Sequence, residues 1–277
     1  MKKILKSLFI LFLISISFLY LKNYLKNFKY DRDFKDVNNN RYIMSILDNT
    51  LYSGNSLSIS DIYYVDKDND IKKEKNNYLF YIYNTHQTEE YEEGVEEPYD
   101  IKCNVVTASY MLEDLLSKMG YGVLVEERNV LDIVNKNGWS YNATYTVTEE
   151  FVKEIKQKHP TIKYFIDIHR DGASISVTKA SINNKDYARI MFTIGEDRDN
   201  LDNNLLRINK LREYLDSNYS GILRNNFYRR EEDFNQYLDD NVFLIEIGGQ
   251  YNTLSEVYNS IVALSEAFNY LEESHEF

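Results

Sequence analysis

IKYFIDIHRDG, residues 162–172, is an apolar run of strand length that passes directly into a histidine, an arginine and an aspartate. It follows a helical pattern broken at Pro160. A short apolar run bounded in this way reads as a strand buried on both faces of a parallel sheet. YLFYIYN (78–84) runs into THQTEE, and VFLIEI (242–247) into GGQYN, in the same manner. Between these runs the spacing is helical. NVVTASYMLEDLLSKMG (104–120) ends at Gly120, a natural residue just past a helix end. A strand-like GYGVLVEE, a short helix near NVLDIVNKNG and a helix from a Thr146-x-x-Glu149 capping box to Pro160 come next. Beyond residue 172, a hairpin through SINNKDY leads to the strand ARIMFTIG, then to the helix LDNNLLRINKLREYLDSN. A last helix opens at a Thr253-x-x-Glu256 box. Apolar runs alternating with helices predict an α/β domain, a mostly parallel sheet flanked by helices, over residues 76–277.

Composition narrows the function classes. With 43% hydrophobic and 14% aromatic residues, the 277-residue chain buries a core rather than remaining disordered. A net charge of −12 offers no basic stripe for phosphates, which argues against nucleic acid as a partner. The single cysteine, Cys103, excludes an intramolecular disulfide framework and CxxC zinc sites. At the N-terminus, Lys2, Lys3 and Lys6 precede an apolar run from Leu8 to Leu21, and no small-residue cleavage motif follows it. Residues 1–26 therefore read as an uncleaved, single-pass membrane anchor that leaves the remainder outside the membrane. Residues 27–75 read as a polar stalk with a short packed segment at RYIMSILDNTLY.

In parallel α/β sheets the ligand site lies beyond the carboxyl ends of the strands. Three such ends carry chemistry here: His86 with Glu89, His169 with Arg170 and Asp171, and Glu246 ahead of Gly248 and Gly249. Catalytic zinc needs three nitrogen or oxygen ligands, an open position for water and a separate carboxylate to move a proton. Two of the chain's four histidines beside carboxylates meet that need. One strand-end histidine alone would read as a turn hydrogen bond. His159 and His275 read as ordinary surface histidines. The acidic run Glu89, Glu90, Glu92, Glu93, Glu96 and Glu97 reads as a solvated loop, within which H-x-x-E spacing lets Glu89 share an ion with His86. Arg170 can anchor a substrate carboxylate or an oxyanion, or pair with Asp171 or Asp167. Glu246 lies inside a strongly apolar strand, where an unpartnered carboxylate is costly.

NTHQTEEY, YFIDIHRDG, INNKDYARIMFTIG, FNQYLDDNVFLIEIGGQYNT and the N-terminal anchor together resemble the stage II sporulation protein P family, from about residue 78 to the C-terminus. The resemblance implies a fold of the zinc amidase/carboxypeptidase (phosphorylase/hydrolase-like) type. It implies a membrane-anchored, Zn2+-dependent peptidoglycan hydrolase that cleaves the amide between N-acetylmuramic acid and L-alanine, and peptide cross-links besides, during sporulation engulfment. The implied location is the cell membrane, with the catalytic domain in the intermembrane space of the sporangium. The implied partners are a lytic transglycosylase of the sporulation stage II D family and the stage II M membrane protein. Residue by residue, it implies His86 and His169 as zinc ligands and Glu246 as general base. For the third ligand, related amidases use a glutamate near the start of the next helix, and PYDIKCNVV has none there. Glu89 is the first choice, with Glu90, Asp100 and Cys103 as alternatives. DIHRDG followed by ASISV, and FNQYLDD, mark a diverged member. A zinc carboxypeptidase or endopeptidase acting on wall peptides, and a non-catalytic wall-binding assembly protein, stay open beside this reading.

Overall fold

The computed structural model describes residues 77–96 and 101–274. The chain order is β1 (Phe80–Tyr83), β2 (Glu90–Glu96), β3 (Ile101–Asn104), α1 (Val105–Lys118), β4 (Val123–Val125), α2 (Val130–Lys136) and α3 (Thr144–Lys158). It continues through β5 (Tyr164–Asp171), one turn of α4 (Ile175–Thr178), β6 (Lys179–Ile182), β7 (Lys185–Ala188) and β8 (Ile190–Gly195). The remaining elements are α5 (Leu201–Asn218), β9 (Phe227–Arg229), β10 (Val242–Gly249) and α6 (Leu254–Glu273). Six strands form one sheet in the order β4-β1-β5-β10-β8-β9. β4, β1, β5 and β10 are mutually parallel, β8 is antiparallel to β10, and β9 is parallel to β8. The sheet is thus mostly parallel with helices on its faces, as the alternation of apolar runs predicts.

Strand alternation sorts the side chains between two faces. Phe80, Ile82, Tyr164, Ile166, Ile168, Phe243, Ile245 and Ile247 join the larger core with α1, α5 and α6. Tyr81, Tyr83, Phe165 and Val242 point the other way, against Val152 and Ile155 of α3. Asp167, His169 and Glu246 follow Phe165 and Val242 at even spacing, so they share the α3 face. The start of that face is sealed by apolar contacts, and its C-terminal end is polar.

Several sequence expectations need correction. The acidic run is not a loop: Glu90–Glu96 is a strand paired antiparallel with Ile101–Asn104, a short β-ribbon rather than part of the main sheet. The Thr146-x-x-Glu149 box does not open α3, which begins at Thr144 after a 3-10 turn at Tyr141–Ala143 and has no side-chain cap. That turn supplies the initiation which the cap residue was expected to supply. The Thr253/Glu256 box does open α6, with both reciprocal hydrogen bonds present. The SINNKDY hairpin turns through Asn183 and Asn184, both in the left-handed region, as a two-residue turn requires. The lysine-flanked apolar run, the polar stalk and its RYIMSILDNTLY segment, Asp100 and His275 lie outside the described residues. Among the described residues, no helix is long and apolar enough to cross a membrane.

β10 changes register against β5 between Glu246 and Gly249. Gly248, at φ +65, makes this bulge, and a Cβ there would come within 2.6 Å of Asn252 Oδ1 and 2.8 Å of Ala188 Cβ. Gly248→Ala should therefore lower unfolding stability by about 1–3 kcal/mol in urea denaturation. A change within the error of that measurement would refute the strain assigned to this bulge.

Candidate metal centre

The first half of the site is a turn held from several sides. Asn84, buried at the end of β1, donates to the Ile168 carbonyl at 2.7 Å and the Val105 carbonyl at 3.3 Å, and accepts from Ser109 Oγ at 2.9 Å. These bonds tie β1 to β5 and α1. The Glu89 N–H closes the turn on the His86 carbonyl at 3.2 Å, and the Glu89 carbonyl accepts from Val105 N–H at 3.1 Å. Gln87 spans to the start of α2, donating to the Arg128 carbonyl and accepting from Val130 N–H, both at 2.9 Å. Fixed in this way, the three-residue spacing sets His86 and Glu89 side by side, with Nδ1 to Oε1 at 3.3 Å.

β5 supplies the second half. His169 is 3% exposed, its Nδ1 is 3.5 Å from Glu89 Oε2, and its Nε2 is 3.0 Å from Asp167 Oδ1. The Nε2 approach to Asp167 is close but poorly aligned for N–H donation, so Nε2 has no true hydrogen bond. Asp167 is fixed in turn by Thr85, whose N–H and hydroxyl donate to its two carboxylate oxygens at 2.9 and 2.6 Å. Arg170 N–H donates to Glu89 Oε2 at 2.9 Å. His86, Glu89 and His169 each present one donor atom within 4.8 Å of the others, the one such group among the described residues. Donors on a tetrahedral zinc with bonds of 2.0–2.1 Å stand about 3.3 Å apart. His86 Nδ1 stands 3.3 Å from one Glu89 oxygen and His169 Nδ1 3.5 Å from the other, so the carboxylate lies between the two rings at separations close to that edge. A carboxylate behind a ligand imidazole, as Asp167 stands behind His169, is the usual support for a metal-bound histidine.

The electrostatics show an appetite for positive charge. Burial alone would lower the His169 pKa, but Asp167 and Glu89 outweigh it and hold the imidazole well above its ordinary value. Burial would raise Glu89, yet hydrogen bonds from His169, His86 and the Arg170 N–H hold it below the ordinary carboxylate range. Glu246, paired in register with His169 across β5 and β10, has a buried Oε2 without a partner. Burial is the main cause that pushes its pKa up to about 7, with Glu89, Asp171 and Asp167 adding and His169 opposing. Tyr141 stacks on His86 at 5.1 Å between ring centroids, and Tyr145 meets it edge-on at 5.5 Å.

The other expected residues are distributed as follows. Arg170 donates through Nε to the Glu90 carbonyl at 3.0 Å and pairs with neither Asp171 nor Asp167. Asp171 is instead held by Arg224 Nη1 at 2.5 Å. Glu90 is exposed, and Cys103 is fully buried in the larger apolar core, outside the donor group. His159 caps the end of α3 and packs on Tyr78. Sequence reasoning did not single out Asp167 as the support of His169, although a residue two positions earlier in a strand shares its face. It also missed Tyr141 and Tyr145, which no local pattern connects to His86.

The Glu246 pKa has a consequence for stability. An unfolded glutamate ionises near 4.5, whereas Glu246 keeps its proton to about 7 in the fold. Its contribution is fully present below about 4.5 and is lost as pH rises through about 7. In metal-free protein, Glu246→Gln should raise the unfolding free energy at pH 8 by on the order of 2 kcal/mol, with the gain vanishing toward pH 4.5. Equal stability of the two forms at pH 8 would contradict the burial assigned to this carboxylate.

The fold and the site define an α/β protein that gathers imidazoles and carboxylates at the C-terminal edge of its sheet. The chain matches the family model for stage II sporulation protein P over residues 19–269, and it belongs to that family. It is 29% identical over 201 residues to the stage II sporulation protein P of Bacillus subtilis (strain 168), covering 69% of this chain and 50% of that one. The chain thus spans about half the length of the curated relative it matches. Two solved structures are similar to 70% of this chain: the N-acetylmuramoyl-L-alanine amidase AmiC2 of Nostoc punctiforme, at 10% identity and a TM-score of 0.38, and the CwlD amidase of Clostridioides difficile in complex with the GerS lipoprotein, at 16% and 0.41. They are covered over 97% and 99% of their own lengths.

Proposed function

We propose that the chain is a zinc-dependent peptidoglycan hydrolase, of the zinc amidase/carboxypeptidase type of fold, that cleaves the amide between N-acetylmuramic acid and L-alanine. The observation that carries this reading is the convergence of His86, Glu89 and His169 donor atoms within 4.8 Å, beside a Glu246 oxygen that is buried and unpartnered. Membership of the sporulation family supports the substrate class.

His86, Glu89 and His169 would hold the zinc, which when bound supplies Lewis acidity to the scissile carbonyl and to water. Asp167 Oδ1, 3.0 Å from Nε2, balances positive charge on the His169 ring. Glu246 Oε2 takes the proton from the attacking water and returns it to the leaving amine, the part that a carboxylate outside the ligand set fills beside a Lewis acid. Arg170, with Nε on the Glu90 carbonyl, has its terminal guanidinium nitrogens to offer a stem-peptide carboxylate. The lysine-flanked apolar N-terminus supports a membrane anchor with the catalytic domain outside, and family membership supports a stage II D lytic transglycosylase and the stage II M membrane protein as partners. The spacing of His86 and Glu89, shared with zinc carboxypeptidases, keeps an endopeptidase or carboxypeptidase reading as the alternative. New N-terminal L-alanine marks the amidase, and a shortened peptide on muramic acid marks the peptidase.

His86→Ala should lose stoichiometric zinc, as measured by elemental analysis of the dialysed protein. Full zinc content in that variant would remove His86 from the ligand set. Glu246→Gln should keep its zinc and lose at least about 100-fold in peptide release from purified peptidoglycan. An active Glu246→Gln chain would take this carboxylate out of the reaction.

A further inference from the structure

The FNQYLDD segment (234–240) and the tyrosine at the start of α3 are not used by the reaction above, and the structure joins them in one arrangement. A helix between two parallel strands runs back antiparallel to them, so α3 begins at the same sheet edge as the donor cluster. Its second residue, Tyr145, stands edge-on to His86 at 76°. Among the described residues, side-chain donors reach Tyr145 only at its carbonyl, which accepts from Thr148 Oγ1 and Asn235 Nδ2, and its hydroxyl makes no hydrogen bond.

The backbone carrying that ring is nevertheless firmly held. Asn235 Nδ2 donates to the Tyr145 carbonyl at 2.9 Å and to Thr148 Oγ1 at 3.2 Å. Thr148 Oγ1 is 3.0 Å from the hydroxyl of Thr85, the neighbour of His86. Phe234 packs on the Tyr145 ring at 5.7 Å. Phe234 and Asn235 hold φ of 51 and 61, left-handed values that cost a residue like Phe about 1–2 kcal/mol. Fully buried Gln236 sustains the strain, accepting from Gly195 N–H and donating to the Thr193 carbonyl, both at 2.9 Å. Strain maintained around a half-buried aromatic residue whose hydroxyl bonds no described protein group leaves a firmly held donor open to a ligand that displaces water beside His86.

We propose that Tyr145 is a further catalytic residue, whose hydroxyl donates a hydrogen bond to the amide carbonyl oxygen as that oxygen gains negative charge, and that Asn235 is its positioning residue. This inference rests on the hydrolase reading above. Burial first, then Asp167, Glu246 and Glu89, hold the phenol protonated far above neutral pH, so the donor is available wherever the chain works. Arg170, on the neighbouring strand, already has its Nε on a backbone carbonyl and is left for the substrate carboxylate.

The test compares the zinc-loaded wild-type chain with Tyr145→Phe, Asn235→Gly and the double variant on purified peptidoglycan, with zinc content and unfolding midpoint measured for each. Glycine keeps the left-handed backbone at 235 and removes only the amide. Tyr145→Phe should lower kcat by about 100-fold at unchanged KM, zinc content and midpoint. Asn235→Gly should lower kcat by about tenfold alone and add nothing in the Tyr145→Phe background. A kcat in Tyr145→Phe within about twofold of wild type overturns the proposal, as does a loss carried by KM or by zinc content. A wild-type chain that carries zinc and releases no peptide overturns the hydrolase reading itself, a result separable from the first because no variant is needed to see it.

Discussion

Three carboxylates crowd one buried imidazole at the C-terminal edge of the sheet, and the rest of the structure depends on how that charge is accommodated. Asp167 and Glu89 lie 3.0 and 3.5 Å from the two nitrogens of His169, and Glu246 faces it across the strand pair. Burying such a set without compensation is costly. In the metal-free fold the charge is divided: His169 holds a proton, Glu89 is kept ionised, and Glu246 is pushed toward its neutral form. A divalent cation placed among His86, Glu89 and His169 would relieve the same crowding and leave Glu246 free to exchange a proton. In the proposed function, a metal among these donors is the positive charge that also leaves Glu246 reactive.

Holding this arrangement takes deliberate scaffolding. The Asn84, Gln87 and Val105 hydrogen bonds clamp the His86–Glu89 turn, and Thr85 fixes Asp167 with two donors. The Gly248 bulge breaks the β10 register directly after Glu246, and the left-handed Phe234–Asn235 pair braces the first turn of α3. The first two devices are satisfied hydrogen bonds and the last two store backbone strain, and all of them converge on one sheet edge. Stability given up in one place, on an otherwise closely packed two-sided sheet, is the pattern of a site that needs preorganisation.

Much of the fold was legible from residues 162–172 outward. The long apolar runs became the parallel strands because a strand buried on both faces needs no alternation, and α5 occupies the very stretch its spacing predicts. What failed had physical causes. The acidic run pairs as β2 because its backbone finds a partner in Ile101–Asn104, whatever its side-chain charge. Thr146 lost its cap role because a 3-10 turn starts α3 two residues earlier. For the site, the strand-end rule pointed to His86, Glu89, His169 and Glu246, and these side chains lie together. Asp167 could have been read from strand alternation, whereas Tyr145 and Asn235 meet across 90 residues of sequence, a separation that no local pattern reports.

The central claim is that this cluster is a zinc site made of imidazole and carboxylate. X-ray absorption at the zinc edge of the metal-loaded chain tests it most directly. The account predicts one zinc per chain, with two imidazoles and the remaining shell of oxygen at about 2.0–2.1 Å. Sulfur scattering at about 2.3 Å, which would bring Cys103 into the site, or a shell with fewer than two imidazoles, would contradict it.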